Sequence, residues 1–141
     1  HRFVQRYDES TRIEAAYYDK DERPVVGPNG WSKVTRAPGG DGVPAIWKAL
    51  DYDGAPAAVE IVIQQVIPGG QAARLGLLPG DVIVSYNGVS IVDQTQMIEL
   101  VDFGEELERK IVLDRAGMTI EGHLQRGKIG VAMQARPKTG K

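Results

Sequence analysis

The segment GGQAARLGLLPGDVIVSYNG, residues 69–88, contains five glycines in twenty residues around a short amphipathic stretch. The residues after the first two glycines predict a helix that ends at Gly76, where a left-handed C-cap suits glycine. A Pro-Gly turn then leads into an apolar strand, in which alternation places Val84 on the same face as Tyr86. Asn87-Gly88 predicts a two-residue hairpin turn, because both positions tolerate positive φ. The glycines therefore mark the boundaries of short, closely packed elements.

Further strands and one longer helix are predicted around this segment. Val59–Val66 alternates as a strand does, and residues 110–115, 118–125 and 129–134 follow as three more strands. Asp93–Phe103 predicts a helix with Asp93 as its N-cap and Gly104 as its stop. Its apolar residues form two edges, Met97 with Leu100 and Ile98 with Val101. Two apolar edges fit a helix that lies at the margin of a groove.

Residues 68–88 resemble the signature of PDZ domains, in which Ala-x-x-Gly-Leu is followed by Pro-Gly-Asp-x-Ile and Asn-Gly. The matching positions are Pro68, Ala72, Ala73, Gly76, Leu77, Pro79, Gly80, Asp81, Ile83, Asn87 and Gly88. The resemblance implies an α+β fold over residues 59–136, a PDZ-like small β-sandwich or partly open barrel of five to six strands with two helices. It also implies a protein-interaction module that binds the C-terminal or extended peptide of a partner by β-strand addition.

The resemblance also implies where the ligand would lie. In PDZ domains a ligand's C-terminus lies between a strand and the longer helix, and a loop of pattern x-Φ-Gly-Φ (Φ is apolar) receives its carboxylate. That pattern is absent from residues 42–58 but occurs at residues 128–131, so we expect a circular permutation with a C-terminal groove strand. The groove would lie between Ile129–Met133 and the helix Asp93–Phe103. The implied peptide- and carboxylate-binding residues are Arg126, Gly127, Lys128, Ile129, Gly130, Val131, Met133, Asp93, Gln94, Met97 and Leu100. An ordinary edge strand is the alternative interpretation.

The loop before the last strand has residues suited to binding a carboxylate. Gly127 and Gly130 allow the backbone to turn its N–H groups inward as an anion-binding nest. Arg126 or Lys128 would add positive charge. The resemblance therefore implies that the carboxylate of the ligand lies in this loop.

The walls of the implied pocket are apolar. Ile129 and Val131 would lie on one side, with Met97 and Leu100 opposite. The helix start, at residues 93–94, would contact the third-from-last ligand residue. Many PDZ domains have His there, which selects Ser or Thr; this chain does not, so we expect a ligand whose last residue is apolar.

Residues 1–58 predict a separate segment of β-hairpin repeats. Asp19–Val26 matches Asp51–Ala58 at an offset of 32 residues, and each copy predicts a strand, an Asp-x-Asp turn and a proline. The first copy, with Tyr7-Asp8, Tyr18-Asp19 and Gly30-Trp31, resembles the tyrosine–aspartate repeats of bacterial proteins. The resemblance implies a repeat scaffold beside the following domain. Residues 137–141 are predicted to form a disordered tail.

Composition and residue types argue against several functions. A net charge of −2 gives no general attraction to nucleic acid or an anionic membrane, and the chain has no cysteine for disulfides or thiolate metal sites. No apolar run approaches the roughly 20 residues that cross a bilayer. The histidines are His1 and His123, the latter on the outward face of a strand, and no serine lies in a nucleophile elbow. The Asp-x-Asp pairs lack the other ligands of a calcium loop. We therefore expect a monomer that is not an enzyme and has no metal, cofactor, nucleic-acid partner or membrane insertion.

Three functions remain open at this point. The chain is a peptide-binding module on a repeat scaffold, a regulatory PDZ domain of a larger bacterial protease or signalling protein, or a structural module whose groove is occluded. In the first two cases the partner is the C-terminal peptide of another polypeptide. We expect a soluble fragment of a bacterial protein, and the sequence does not distinguish a cytoplasmic from an extracytoplasmic location.

Overall fold

The computed structural model of this chain describes residues 2–8 and 11–138. It divides into two compact units, one formed by His1–Val59 with Arg136–Lys141 and the other by Glu60–Ala135. Of the predicted disordered tail, residues 139–141 lie outside the described residues, as do His1 and Ser10. Pro137 ends a strand, and the N–H of Lys138 donates to the carbonyl of Ala58 at 3.0 Å. The described part of the tail is therefore bound to neighbouring backbone.

The first unit contains a four-stranded antiparallel sheet with the strands in sequence order. Its strands are β1 (Arg2–Asp8), β2 (Thr11–Tyr18), β3 (Lys33–Ala37) and β4 (Ile46–Leu50). The buried side chains of this unit are small or aromatic, and they include Ala15, Ala16, Trp31, Val34, Trp47 and Ala49. The ring of Tyr17 contacts those of Phe3 and Trp31, with centroid distances of 4.8 and 5.1 Å.

The two copies that the sequence aligns at an offset of 32 residues have matching bridges in the backbone. An isolated bridge joins Tyr18 to Pro24, and an equivalent bridge joins Leu50 to Pro56. In the first turn the carboxylate of Asp19 accepts from the N–H groups of Asp21 and Arg23, at 2.8 and 3.0 Å. These backbone donors, that of Arg23 above all, hold the pKa of Asp19 below its ordinary value. In both copies the end of a strand is therefore bridged to a proline.

The second unit is built on a six-stranded antiparallel sheet with two short helices. The order of the strands is β10-β5-β6-β8-β9, and β7 pairs with β6. The elements in chain order are β5 (Val59–Val66), α1 (Gln71–Leu75), β6 (Val82–Tyr86), β7 (Val89–Ser90), α2 (Gln94–Leu100), β8 (Glu108–Arg115), β9 (Met118–Gln125) and β10 (Val131–Pro137). The chain is thus mostly β with two short helices. Within the described ranges, neither helix is long and apolar enough to cross a bilayer.

The turns of the opening segment form as the sequence predicts. Gly76 has φ 90° and ends α1, and its N–H donates to the carbonyls of Ala72 and Ala73 at 3.0 and 3.2 Å. Asn87 and Gly88 have φ 52° and 85°, which closes the hairpin between β6 and β7. A side chain other than glycine at position 76 would be strained, because left-handed backbone is unfavourable for L residues.

The predicted alternation along β6 is wrong. Ile83 pairs with Leu113, but Ser85 pairs with Val112, so the register shifts at Val84. This β-bulge turns Val84 outward, where 45% of it is exposed, while Tyr86 is buried. Ile83 and Tyr86 therefore both face the core, which simple alternation does not allow.

The longer helix starts as predicted but ends early. Asp93 is its N-cap, and its carboxylate accepts from the N–H of Thr95 at 3.0 Å. The helix ends at Leu100 rather than at Phe103, because the Leu100 carbonyl accepts from the N–H of Phe103 at 3.1 Å in a tighter turn. The buried guanidinium of Arg109 donates to the same carbonyl, also at 3.1 Å. The groove helix named from the sequence, Asp93–Phe103, is therefore corrected to Gln94–Leu100.

Candidate functional site

An apolar cavity of about 380 Å³ opens between α2 and the residues that lead into β10. Its volume is within the ~300–1,000 Å³ that is usual for ligand pockets. The lining side chains are almost all aliphatic or thioether, with one cation, and they are Ile67, Met97, Ile98, Val101, Lys128, Ile129, Gly130, Val131 and Met133. The described lining therefore favours an apolar group with a negative charge near one end.

Six of the residues predicted for the site line this cavity. They are Met97, Lys128, Ile129, Gly130, Val131 and Met133. The other five do not line it, and they are Arg126, Gly127, Asp93, Gln94 and Leu100. The structure thus brings Met97 of α2 and the described residues 128–131 and 133 together at one cavity.

The edge of α2 that faces the cavity was assigned incorrectly from the sequence. Leu100 is only 5% exposed and belongs to the core. Ile98 and Val101 line the cavity beside Met97, and Ile98 is 61% exposed. Helical periodicity gives two apolar edges, and packing against the sheet selects which one is buried.

The strand β10 lies at the edge of its sheet. It is hydrogen-bonded to β5 on one side, and no strand of the described chain pairs with its other side. Strand edges of this kind present unpaired N–H and C=O groups that another chain can pair with. Beside the cavity, β10 therefore offers a backbone edge as well as apolar side chains.

Two backbone carbonyls of the loop before β10 accept hydrogen bonds from other parts of the fold. The carbonyl of Ile129 accepts from Ala72 N–H at 2.8 Å, and that of Gly130 accepts from Ile67 N–H at 2.9 Å. In the described part of the chain, no backbone carbonyl accepts from the N–H of Ile129 or of Gly130. Gly130 has φ 83°, and a Cβ added there would lie 3.2 Å from the Cα of Gly70. Glycine is required at this position, and two backbone donors remain beside the cavity.

Arg126 and Gly127 brace the loop instead of lining the cavity. The Arg126 guanidinium donates to the carbonyls of Gly104 and Asp102, at 2.8 and 2.6 Å. The N–H of Gly127 donates to the carbonyl of Val101 at 2.8 Å, and its φ is 105°. Of the two cations considered from the sequence, Lys128 is the one that lines the cavity.

The two residues at the start of α2 are engaged in hydrogen bonds. Asp93 is buried and caps the helix. The side-chain oxygen of Gln94 accepts from the backbone N–H of Ala135 in β10, at 3.2 Å. Neither residue lines the cavity, so the predicted contact with the third-from-last ligand residue stays a prediction.

Three lining residues were missed by the sequence reasoning, Ile67, Ile98 and Val101. Ile98 and Val101 lie three positions apart on one edge of the helix, so their helical spacing in the sequence could have identified them. Ile67 lies between β5 and α1 and has no local pattern that marks it. Its position at the cavity follows from the hydrogen bond that its N–H donates to Gly130.

His123 and the acidic residues are the described side chains outside this cavity that are suited to metal binding or acid–base chemistry. His123 is exposed on β9, where Lys110 is its partner on β8. Over residues 2–8 and 11–138, no three His, Asp or Glu side chains are grouped closely enough to hold a metal ion.

Comparison with known families agrees with this geometry. A family profile described as PDZ domain matches residues 62–114, from within β5 to within β8. The six-stranded sheet with two short helices is consistent with a PDZ fold, so this region contains a PDZ domain. A PDZ domain is a peptide-binding protein-interaction module.

The match does not extend to residues 1–58 or to β10. It gives no support to the resemblance of the N-terminal segment to tyrosine–aspartate repeats. No curated protein matches the chain.

Proposed function

We propose that the second unit binds the C-terminal end of a partner polypeptide by adding it as a strand to the edge of β10. The observation that carries the proposal is the coincidence of three features at one place. These are an open strand edge, an apolar cavity and two backbone N–H groups without a backbone acceptor in the described chain. Each feature matches one part of a C-terminal peptide: its backbone, its last side chain and its carboxylate.

The carboxylate of the ligand lies at the N–H groups of Ile129 and Gly130. Hydrogen bonds to an ionised acceptor are stronger than those between neutral groups, so these donors favour a free chain end. Lys128 lines the same cavity and adds positive charge, which solvent screens because the side chain is exposed. An amidated or extended chain end would lack the charge that these groups complement.

The last side chain of the ligand enters the cavity between Ile98, Val101 and Val131. All three are apolar lining residues, which favours an aliphatic or aromatic last residue. For a lone peptide we expect a Kd on the order of 1 μM, which corresponds to about −8 kcal/mol. A short peptide loses conformational freedom when it is ordered, so a tighter complex would need contacts outside this groove.

The position of β10 in the chain supports a permuted arrangement. The match to the PDZ profile ends at Asp114, and β10 begins at Val131, so the groove strand follows the matched segment in sequence. It nevertheless pairs with β5, near the start of that segment. We infer that the chain order is a circular permutation with the groove strand at the C-terminal end.

Selecting displayed random C-terminal peptides for binding to the whole chain tests the proposal. Ile98→Asp is the variant designed to abolish binding in the cavity. Ile98 lines the cavity and is already exposed, so a carboxylate there repels the ligand's chain end without opening the core. Leu107→Asp is the matched control, because Leu107 is 72% exposed and does not line the cavity. Ile129 and Gly130 are poorer targets, since one is buried and the other has positive φ.

We expect enrichment of peptides with a free carboxylate and an apolar last residue. Ile98→Asp should weaken their binding at least ten-fold, and Leu107→Asp should leave it within two-fold. Absence of enrichment for any sequence would contradict the proposal and favour a structural module with an occluded groove. Equal loss in both variants would place the binding outside this cavity.

We also propose that the module is not an enzyme. His123 is exposed on β9, and its neighbour across the sheet is Lys110, a cation rather than the carboxylate that orients a catalytic histidine. A role as the regulatory domain of a larger bacterial protease or signalling protein is compatible with the same groove. The identity of residues 1–58 as tyrosine–aspartate repeats stays a prediction.

A further inference from the structure

The backbone of β10 presents alternate residues to the two sides of the strand. The carbonyl of Gly130 bonds Ile67 N–H next to β5, so this residue points its backbone toward β5. In a strand the backbone groups reverse direction at each residue, so Val131, Met133 and Ala135 point the other way. The hydrogen bond from Ala135 N–H to Gln94 of α2 agrees independently with this assignment. The free edge of β10 therefore consists of the backbone groups of these three residues.

One of those three positions is already occupied. The side-chain oxygen of Gln94 lies 3.2 Å from the nitrogen of Ala135 and accepts its N–H. Ala135 is fully buried, so water does not compete for this N–H. Val131 and Met133, in contrast, line the cavity. A strand that joins this edge finds two open positions and then the amide of Gln94.

We propose that Gln94 sets the length of the ligand and closes the groove after the last three or four residues of the partner chain. This inference rests on the proposed function. With the carboxylate at Ile129 and Gly130, the last ligand residue faces Val131. Because pairing repeats every two residues, the third from last faces Met133 and the fifth from last would face Ala135. The Gln94 side chain already accepts the Ala135 N–H, so ligand residues beyond the fourth from last add no backbone hydrogen bond to β10.

The test uses a length series of one simple probe. Acetylated alanine peptides that end in valine with a free carboxylate, three to seven residues long, are titrated into the whole ¹⁵N-labelled chain. For the unaltered protein we expect Kd to fall up to four residues and then to stay constant within two-fold. In Gln94→Ala the seven-residue peptide should bind about five-fold tighter than the four-residue peptide, the factor that one net backbone hydrogen bond supplies.

Two further variants separate this role from a general effect on the helix. Gln94→Glu keeps an acceptor for Ala135 N–H, so it should keep the original dependence on length. Thr95→Ala changes an exposed residue in the same helical turn and should do the same. Without peptide, hydrogen exchange at the Ala135 amide should quicken at least ten-fold in Gln94→Ala and stay unchanged in Thr95→Ala.

The outcomes distinguish this inference from the proposed function. If Kd of the unaltered protein keeps falling beyond four residues, or if Gln94→Ala changes neither length dependence nor exchange, the role of Gln94 is refuted while the groove stands. If no peptide shifts the amide signals of Val131 and Met133 in any variant, the proposed function fails, and the length limit fails with it.

Discussion

The ion pair between the buried Asp81 and the partly exposed Arg115 leads to a prediction about the stability of the second unit and its dependence on pH. Asp81 is 2% exposed, and both of its oxygens accept from the Arg115 guanidinium at 2.8 Å. The N–H of Leu78 donates to the same carboxylate at 2.9 Å. Arg115 above all, with this N–H, holds the pKa of Asp81 below its ordinary value of 3.8. We therefore expect Asp81→Asn to destabilise the second unit.

The size of the effect follows from where the carboxylate lies. Breaking a fully buried pair costs about 3–5 kcal/mol, whereas exposed pairs contribute about 0–1 kcal/mol. Asp81 is buried but Arg115 is partly in water, and asparagine still offers one oxygen to Leu78 N–H. We expect the free energy of unfolding to fall by roughly 2 kcal/mol at pH 7, between those two limits.

The sign of the pH dependence is determined by the lowered pKa. A carboxyl group whose pKa is lower in the folded state contributes stability above its unfolded pKa, and that contribution is lost as the pH falls through the folded pKa. Asparagine does not titrate. The difference between the two proteins should therefore be constant from pH 5 to pH 7 and should shrink as the pH falls below about 3.8.

Urea unfolding followed by the amide signals of Ile83 and Leu113 is the suitable assay. Both tryptophans, Trp31 and Trp47, belong to the first unit, so their fluorescence would report on the wrong part of the chain. Glu121→Gln is the control, because Glu121 and Lys110 form an exposed pair at 3.4 Å whose loss should not be measurable. A difference for Asp81→Asn below about 0.5 kcal/mol, or one that persists unchanged at pH 2, would refute the reasoning.

Two further predictions concern the ends of α2. Asp93→Ala removes the N-cap and should lower the free energy of unfolding by about 1 kcal/mol. Asp93→Asn keeps an acceptor and should cost less than half of that. Equal losses for the two variants in urea titrations would contradict the capping role. Arg109 is buried and donates to the carbonyls of Leu100 and Glu106 at 3.1 and 2.6 Å. Arg109→Met should lower the free energy of unfolding by roughly 3 kcal/mol, because these acceptors lose their donor. It should also speed hydrogen exchange at the Phe103 amide. An unchanged exchange rate would show that the loop after α2 does not depend on Arg109.

Elements determined by local chemistry could be predicted from the sequence. The strands Val59–Val66 and Met118–Gln125 have the predicted bounds. Gly76 and Asn87-Gly88 adopt the positive φ values expected of them, since few other residues tolerate that backbone. These features depend on a few neighbouring residues, and so the sequence contains the information directly.

Features determined by distant neighbours could not be predicted. The bulge at Val84 depends on the register with β8, which alternation within one strand does not contain. The end of α2 depends on Arg109, nine residues beyond Leu100. Likewise, the sequence predicts Arg126 as a positive charge beside the ligand, but its guanidinium donates to two carbonyls 22 and 24 residues away. In each case tertiary contacts choose between alternatives that the local sequence leaves open.

The pairing of β10 with β5 has a consequence for synthesis on the ribosome. The contact between Gln64 and Gln134 joins residues 70 positions apart, and at 5–20 residues per second the later strand emerges roughly 4–14 s after the earlier one. During that interval β5 has a free edge beside the apolar residues Ile61 and Ile63, which are buried in the finished fold. The nascent chain should therefore be most prone to misassembly in the interval before β10 emerges.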